Sequence, residues 1–171
     1  MQFLAEAFPE AHLVPSNSLK RVEMRLFIVH LDTKFFEAFR DVLFGSAPVA
    51  RLIDAFAALQ ALLPPTGFAV GEFSLADAAA VPFLVRALLL LENDIGKYPA
   101  GEGKKAAATL REPKFARLRK YIEDVKARPS FKNTYDEVSV VCGLKSLPVP
   151  DREARIGIHP LDLEVEPRPQ A

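Results

Sequence analysis

The stretch "GEFSLADAAAVPFLVR", residues 71–86, decides the fold. Ser74 followed three residues later by Asp77 is typical of a capping box, in which each side chain accepts a hydrogen bond from the backbone of the other residue. The apolar run that follows carries Pro82, which removes one helical hydrogen bond at a cost of roughly 3 kcal/mol. Arg86 interrupts the run and needs a carboxylate or carbonyl partner, or an exit to water. The run therefore predicts a central helix that packing on several sides must stabilise.

Helical periodicity extends over most of the chain. Apolar residues recur at spacings of three and four within residues 1–8, 19–44, 48–63 and 113–128, as in amphipathic helices. In the long second segment, one stripe of the helix carries Val22, Leu26, Val29, Phe36 and Leu43. The sequence predicts an all-α fold of roughly five to seven helices, followed by a proline-rich segment without a period.

Composition excludes several classes of protein. Lysine plus arginine and aspartate plus glutamate both number 22, so the chain lacks the basic excess of nucleic-acid binders. Its single cysteine, Cys142, excludes an internal disulfide and a cysteine-based zinc site. The histidines lack metal-ligand spacing, so no metal site is expected. The longest apolar run is far short of the roughly 20 residues that cross a bilayer. We therefore expect no nucleic acid and no membrane as partners, and a reducing, cytoplasmic location.

Three segments resemble one family in the same order. "FSLADAAAVPFLVR" resembles the capping-box helix in the helical C-terminal domain of cytosolic glutathione transferases. "FLAEAFPEAHLVPSNSLKRVEMRLF", residues 3–27, is similar to the segment by which that family enters this domain, and "ARPSFKNTYDE", residues 127–137, is similar to its last helices. The resemblance covers about residues 1–137 and is greatest to fungal and omega-like members.

The resemblance implies a glutathione transferase C-terminal-like helical bundle without the thioredoxin-like N-terminal domain. Residues 1–15 would be the remnant of the last thioredoxin-like helix plus a linker, 16–137 the helical domain, and 138–171 an extended or disordered tail. In complete members the thioredoxin-like domain supplies the catalytic residue and most of the glutathione site, and these elements would precede Met1. We therefore expect no catalytic residue and no cofactor in this chain alone; glutathione would be the substrate of the complete enzyme.

The family's helical domain also supplies much of the pocket for the hydrophobic co-substrate. Carried onto this chain, the resemblance implies four pocket residues, namely Arg21, Arg25, Val29 and Phe83. Phe131 or Tyr135 would extend the same wall. The competing interpretation is structural: Val29 and Phe83 would belong to the core, and the two arginines to the solvated surface.

Two main functions remain open from the sequence, beside a third in which the chain carries apolar ligands with its half of the pocket alone. In the first, the chain is the C-terminal part of a glutathione transferase-like protein, inactive alone, whose partner is a separate N-terminal domain or a second copy in a homodimer, and whose pocket takes an apolar small molecule. In the second, it is a non-enzymatic interaction or dimerisation module, as similar helical domains are in translation-factor and synthetase complexes. An apolar patch at Phe3, Leu4 and Phe8 would then meet the partner.

Overall fold

A computed structural model describes residues 2–45 and 47–136, and these residues form a helical bundle without β-strands. The chain segment at residues 68–72 forms two isolated antiparallel bridges and nothing more extensive. Within the described ranges the α-helices are α1 (Gln2–Ala7), α2 (Ser18–His30), α3 (Phe36–Leu43), α4 (Ala50–Ala61), α5 (Leu75–Glu92), α6 (Glu102–Leu110), α7 (Ala116–Lys126) and α8 (Pro129–Thr134). The predicted all-α class is confirmed, whereas the tail predicted over 138–171 lies outside the described residues.

The long helix expected over residues 19–44 consists of α2 and α3 joined by a π-helical turn, Leu31–Phe35. Asn17 begins it, because its Oδ1 accepts hydrogen bonds from the N–H groups of Leu19 at 2.9 Å and Lys20 at 3.2 Å. A π turn adds one residue to the helical repeat. The apolar rows before and after residue 31 therefore do not follow a single helical phase.

The stripe that the sequence outlines on this helix is not its buried face. Val22, Leu26 and Val29 are 50%, 63% and 55% exposed, respectively. Phe36 is also partly exposed, and Leu43 alone of that stripe is buried. The helix buries a different row, made of Met24, Phe27, Leu31, Phe35, Ala38, Phe39, Val42 and Leu43. Both rows have helical spacing, so the periodicity of the sequence does not determine which row is buried.

Helix α5 runs through the centre of the bundle and contacts α2, α3, α6 and α7. Most of its apolar side chains are buried, as the sequence predicts for a helix that is apolar on nearly all sides. Some side chains of α5 are only half-buried, however, namely those of Ala78, Pro82, Phe83, Arg86, Leu88 and Leu89. The central helix therefore presents one partly open face, and Pro82 lies on it.

Candidate functional site

The N-terminus of α5 contains a buried polar cluster around Asp77. Its Oδ2 accepts hydrogen bonds from the N–H of Ser74 at 2.8 Å and from the Ser74 hydroxyl at 3.1 Å. Its Oδ1 accepts from the N–H of Ala69 at 2.8 Å and from the Tyr121 hydroxyl at 2.9 Å. The Ser74 hydroxyl in turn accepts from the N–H of Ala76 at 3.3 Å, and both halves of the capping box are present. Four donors thus compensate for the burial of one carboxylate.

Tyr121 and Arg117 extend this cluster to α7. Burial raises the pKa of the Tyr121 hydroxyl far above its ordinary value, and the nearby charge of Asp77 raises it further. The Arg117 guanidinium lies 5.9 Å from the Tyr121 ring centroid and donates hydrogen bonds to the carbonyls of Pro64 at 2.6 Å and Gly67 at 2.7 Å. The cluster has no free acceptor on Asp77, so we assign it a structural role: it joins α5, α7 and the loop between α4 and α5.

The three predicted pocket residues of α2 lie four residues apart and so share one row of the helix. Arg21 donates hydrogen bonds through Nη1 to the carbonyls of Pro15 at 3.2 Å and Ser16 at 2.7 Å. Arg25 is exposed, and Val29 is 55% exposed. Arg21 therefore holds the segment that enters α2, whereas Arg25 and Val29 face the surface.

Phe83, the fourth predicted pocket residue, lies on the partly open face of α5. Its ring meets the ring of Phe36 edge to face, with the centroids 5.3 Å apart. Arg86 follows one turn later, is half-buried, and makes neither an ion pair nor a hydrogen bond with any described residue. The structure therefore brings Phe83 together with two residues that were not assigned to the site from the sequence. Arg86 carried a signal, because it is the one cation inside an apolar run; Phe36 carried none.

Two cavities lie elsewhere in the bundle. The first, the α2–α4 cavity, has a volume of about 530 Å³ and is lined by Lys20, Leu26, Phe27, His30, Leu62 and Val70 among others. The second, the α5–α8 cavity, has a volume of about 310 Å³ and is lined mainly by apolar side chains, including Leu13, Phe73, Ala78, Pro82, Val125 and Phe131. None of Arg21, Arg25, Val29 and Phe83 lines either cavity. Phe131 does, and Tyr135 stacks on it with a centroid distance of 4.7 Å.

Metal-binding groups and membrane-spanning helices are both missing from the described residues. Within residues 2–45 and 47–136, no three His, Cys, Asp or Glu side chains are grouped so that they could hold a metal ion. No helix in the same part of the chain combines the length and the apolar character needed to cross a membrane.

Comparison with known proteins gives matches among solved structures. No protein-family model matches the chain, and no curated protein matches it. Glutathione transferase Omega 1C from Trametes versicolor is 45% identical with a TM-score of 0.78, over 84% of this chain and 61% of that chain. Omega 2C from the same fungus is 42% identical with a TM-score of 0.77, over 84% and 62%.

A third match has a ligand. Omega 2S from Trametes versicolor, crystallised in complex with 2,4-dihydroxybenzophenone, is 39% identical with a TM-score of 0.81, over 85% of this chain and 64% of that chain. The chain thus spans less than two thirds of the length of each of these three structures.

Proposed function

We infer that this chain, which carries the helical C-terminal domain of the fungal Omega-type glutathione transferases, forms the co-substrate side of such an enzyme. The glutathione side would come from a thioredoxin-like domain. This assignment starts from identities of 39–45% over 84–85% of the chain. Because the chain spans only 61–64% of those structures, the activity of the whole enzyme is part of the proposal.

The observation that supports it is the aromatic pair on the open side of the bundle. Phe36 and Phe83 meet edge to face at 5.3 Å, and both rings are only partly covered. Partly exposed aromatic rings beside a few polar groups are what a pocket for an apolar ligand requires. Arg86, half-buried and without a partner among the described residues, offers a cation beside them. Val29 and Arg25 lie exposed on α2, and their part in the pocket comes from the family resemblance alone.

An aromatic co-substrate fits these residues. Phenyl rings bind other aromatic rings by edge-to-face and offset contacts worth about 0.5–1.5 kcal/mol. An unpaired guanidinium donates hydrogen bonds to carbonyl, nitro or carboxylate oxygens on such a ring. The Omega 2S protein binds 2,4-dihydroxybenzophenone, an aromatic ketone. We therefore propose an aromatic electrophile bearing oxygen substituents as the co-substrate class.

The glutathione thiolate needs its own binding site. An enzyme activates this thiol by placing hydrogen-bond donors and positive potential around the sulfur. The resemblance places those groups in the thioredoxin-like domain, and none of the described residues matches them. We therefore propose that the chain alone neither binds glutathione nor conjugates it.

The test is a comparison of the chain alone with a fusion. The thioredoxin-like domain of Omega 1C is joined ahead of the 171-residue chain, and both proteins are passed over immobilised glutathione and assayed with an aromatic electrophile. We expect retention and turnover from the fusion only. In the fusion, Phe83→Ala should raise KM for the electrophile about tenfold, because a ring contact is lost, and leave KM for glutathione unchanged. Turnover by the chain alone would refute the proposal.

A specific observation also favours a second function, that of a non-enzymatic interaction or dimerisation module. Phe3 and Phe8 are 78% and 55% exposed. The row formed by Leu19, Val22, Leu26 and Val29 on α2, which we call the α2 row, is exposed over about three helical turns. Monomeric proteins rarely leave so many neighbouring apolar side chains in water unless a partner covers them.

A further inference from the structure

The α5–α8 cavity is an apolar space that no side chain of the described residues fills. Its walls include Phe73, Ala78, Pro82 and Phe131, and these four side chains are only half-buried. The one charged residue among its walls is Asp77, whose two oxygens already accept four hydrogen bonds. The cavity therefore suits an apolar occupant and offers no unpaired charge to a polar one.

The chain leaves the described part of the molecule beside this cavity. Three residues of α8, namely Ser130, Phe131 and Thr134, line it, and the description ends at Asp136. The backbone has already left the helix at Tyr135, where it is extended with φ −113° and ψ 114°. The sequence continues from residue 137 to residue 171. Since an extended residue spans at most about 3.3–3.6 Å, residues 137–142 can extend up to about 20 Å from Asp136, which brings the cavity within their reach.

The sequence directly after Asp136 has an apolar face with the period of an extended chain. In "EVSVVC", residues 137–142, the apolar residues Val138, Val140 and Cys142 alternate with Ser139 and Val141. Alternate side chains of an extended segment point to the same side, and valine favours extended backbone. A free cysteine packs as a small hydrophobic residue. Residues 138, 140 and 142 would therefore present one continuous apolar face.

We propose that residues 138–142 lie along the α5–α8 cavity, with Val138, Val140 and Cys142 against its apolar walls and Ser139 facing water. The cavity volume of about 310 Å³ accommodates a few side chains of this size. Few residues separate the segment from α8, so its return to the cavity costs little loop-closure entropy. By contacting both α5 and α8, the segment fastens the last described helix to the central one.

This docking does not depend on the co-substrate function proposed above. None of the four predicted co-substrate residues lines the α5–α8 cavity. Cys142 is the only cysteine of the chain, so its rate of reaction with 5,5′-dithiobis(2-nitrobenzoate) reports how well this segment is covered in the full chain. A thiol held in a cavity reacts only when the segment opens.

We expect the native chain to react at least tenfold more slowly than the chain unfolded in urea, at a rate that does not change with chain concentration. Equal rates in the native and the unfolded chain would overturn the proposal. A rate that falls as the chain concentration rises would also overturn it, because a second copy would then be covering the thiol.

A matched pair of variants tests which face of the segment is covered. Val140→Asp places a carboxylate against apolar walls and should bring the rate to within about threefold of the rate in urea. Ser139→Asp adds the same charge on the opposite face and should leave the reaction slow. The effect of a neighbouring charge on the thiol is common to both variants, so equal rates in the two would contradict the proposed docking.

A third variant tests the cavity itself. Ala78→Leu places a larger side chain in the cavity and should raise the rate at least fivefold, whereas Ala108→Leu, the same change at an exposed position of α6, should have no effect. Circular dichroism establishes that each variant is folded. If Ala78→Leu is not folded, the pair Val140→Asp and Ser139→Asp decides the question. A thiol that stays protected in a folded Ala78→Leu protein would show that the segment is covered elsewhere and would overturn the proposal.

Discussion

The hydroxyl of Tyr121 donates a hydrogen bond of 2.9 Å to Oδ1 of Asp77, and thereby joins α7 to the start of α5 across 44 positions of sequence. Both side chains are completely buried. A capping box normally satisfies only its own helix end, but this one also receives a donor from a distant helix. The same carboxylate thus begins α5 and fixes where α7 packs.

Removing the Tyr121 hydroxyl should destabilise the bundle without changing its shape. We expect Tyr121→Phe to lower the free energy of unfolding by about 1.5–3 kcal/mol, because the lost hydrogen bond has a charged acceptor in a buried site. The control is Tyr98→Phe, which removes a bond of 3.1 Å to the neutral Ile95 carbonyl and should cost about 0.5–1.5 kcal/mol. Urea denaturation measures both values, and equal losses would contradict the role assigned to Asp77.

Stability should also fall at high pH through the same hydroxyl. Burial first, and the charge of Asp77 second, raise the pKa of Tyr121 in the folded chain. The unfolded chain releases this proton near pH 10. The protonated Tyr121 hydroxyl therefore contributes its full stabilisation of the fold below about pH 10. This stabilisation is lost as the pH rises above that value, at up to about 1.4 kcal/mol per pH unit.

The measurement is the free energy of unfolding at about pH 9, 10 and 11. Tyr121→Phe should lose less stability over this range than the wild type, since its ring cannot ionise. Burial first, and the charge of Asp94 second, raise the pKa of Tyr98 to about 12, so its ionisation also lowers stability at high pH. This effect and that of the lysines are the same in the variant and in the wild type. If the free energy of unfolding falls equally with pH in the variant and the wild type, ionisation of the Tyr121 hydroxyl does not contribute to the loss of stability.

The start of α5 was predictable from the sequence because its signal is local. Ser74 and Asp77 lie within one helical turn, so residue types and spacing were enough to indicate the cap. The hydrogen bond from Tyr121 was not predictable, because tyrosine at that position is equally compatible with an ordinary core residue. Long-range partners depend on how helices pack, which no short pattern encodes.

The buried face of the first long helix shows the opposite case. Val22, Leu26 and Val29 have the spacing of a core stripe, yet the structure exposes them and buries Met24 and Phe27 instead. Two apolar rows on one helix give the same period, and only the neighbouring helices decide between them. The co-substrate residues carried over from the resemblance depend on this choice of face, and their role in binding stays a prediction.

Arg128 should stabilise the loop before α5 through the ring of Phe73. Its guanidinium lies 3.7 Å from that ring centroid, and its Nε is buried without a hydrogen-bond partner in the described part of the chain. Arg128→Met keeps the apolar stem but removes the charge, so we expect a loss of about 0.5–2 kcal/mol. Lys114→Met, at an exposed cation 5.4 Å from Phe115, should cost less than about 0.5 kcal/mol. A loss at Arg128 no larger than this would exclude the cation–π contact.

The α2 row gives the test of the interaction-module hypothesis. If a second copy covers this row, the chain should sediment as a dimer, and Leu26→Glu should convert it to a monomer because a carboxylate would be buried in the contact. Leu26 is 63% exposed in the single chain, so the same change should alter the free energy of unfolding of the monomer by no more than about 0.5 kcal/mol.

The matched control is Ala58→Glu, which adds the same charge at an exposed position of α4 and should leave the dimer intact. Sedimentation velocity over a hundredfold range of concentration, run on the wild type and both variants, separates these outcomes. A wild-type chain that remains monomeric at the highest concentration would argue against self-association through the α2 row. The leucines and valines of the α2 row would then be exposed to water in the isolated chain. The fusion with a thioredoxin-like domain would be the next protein in which to measure their exposure, because that domain could cover them.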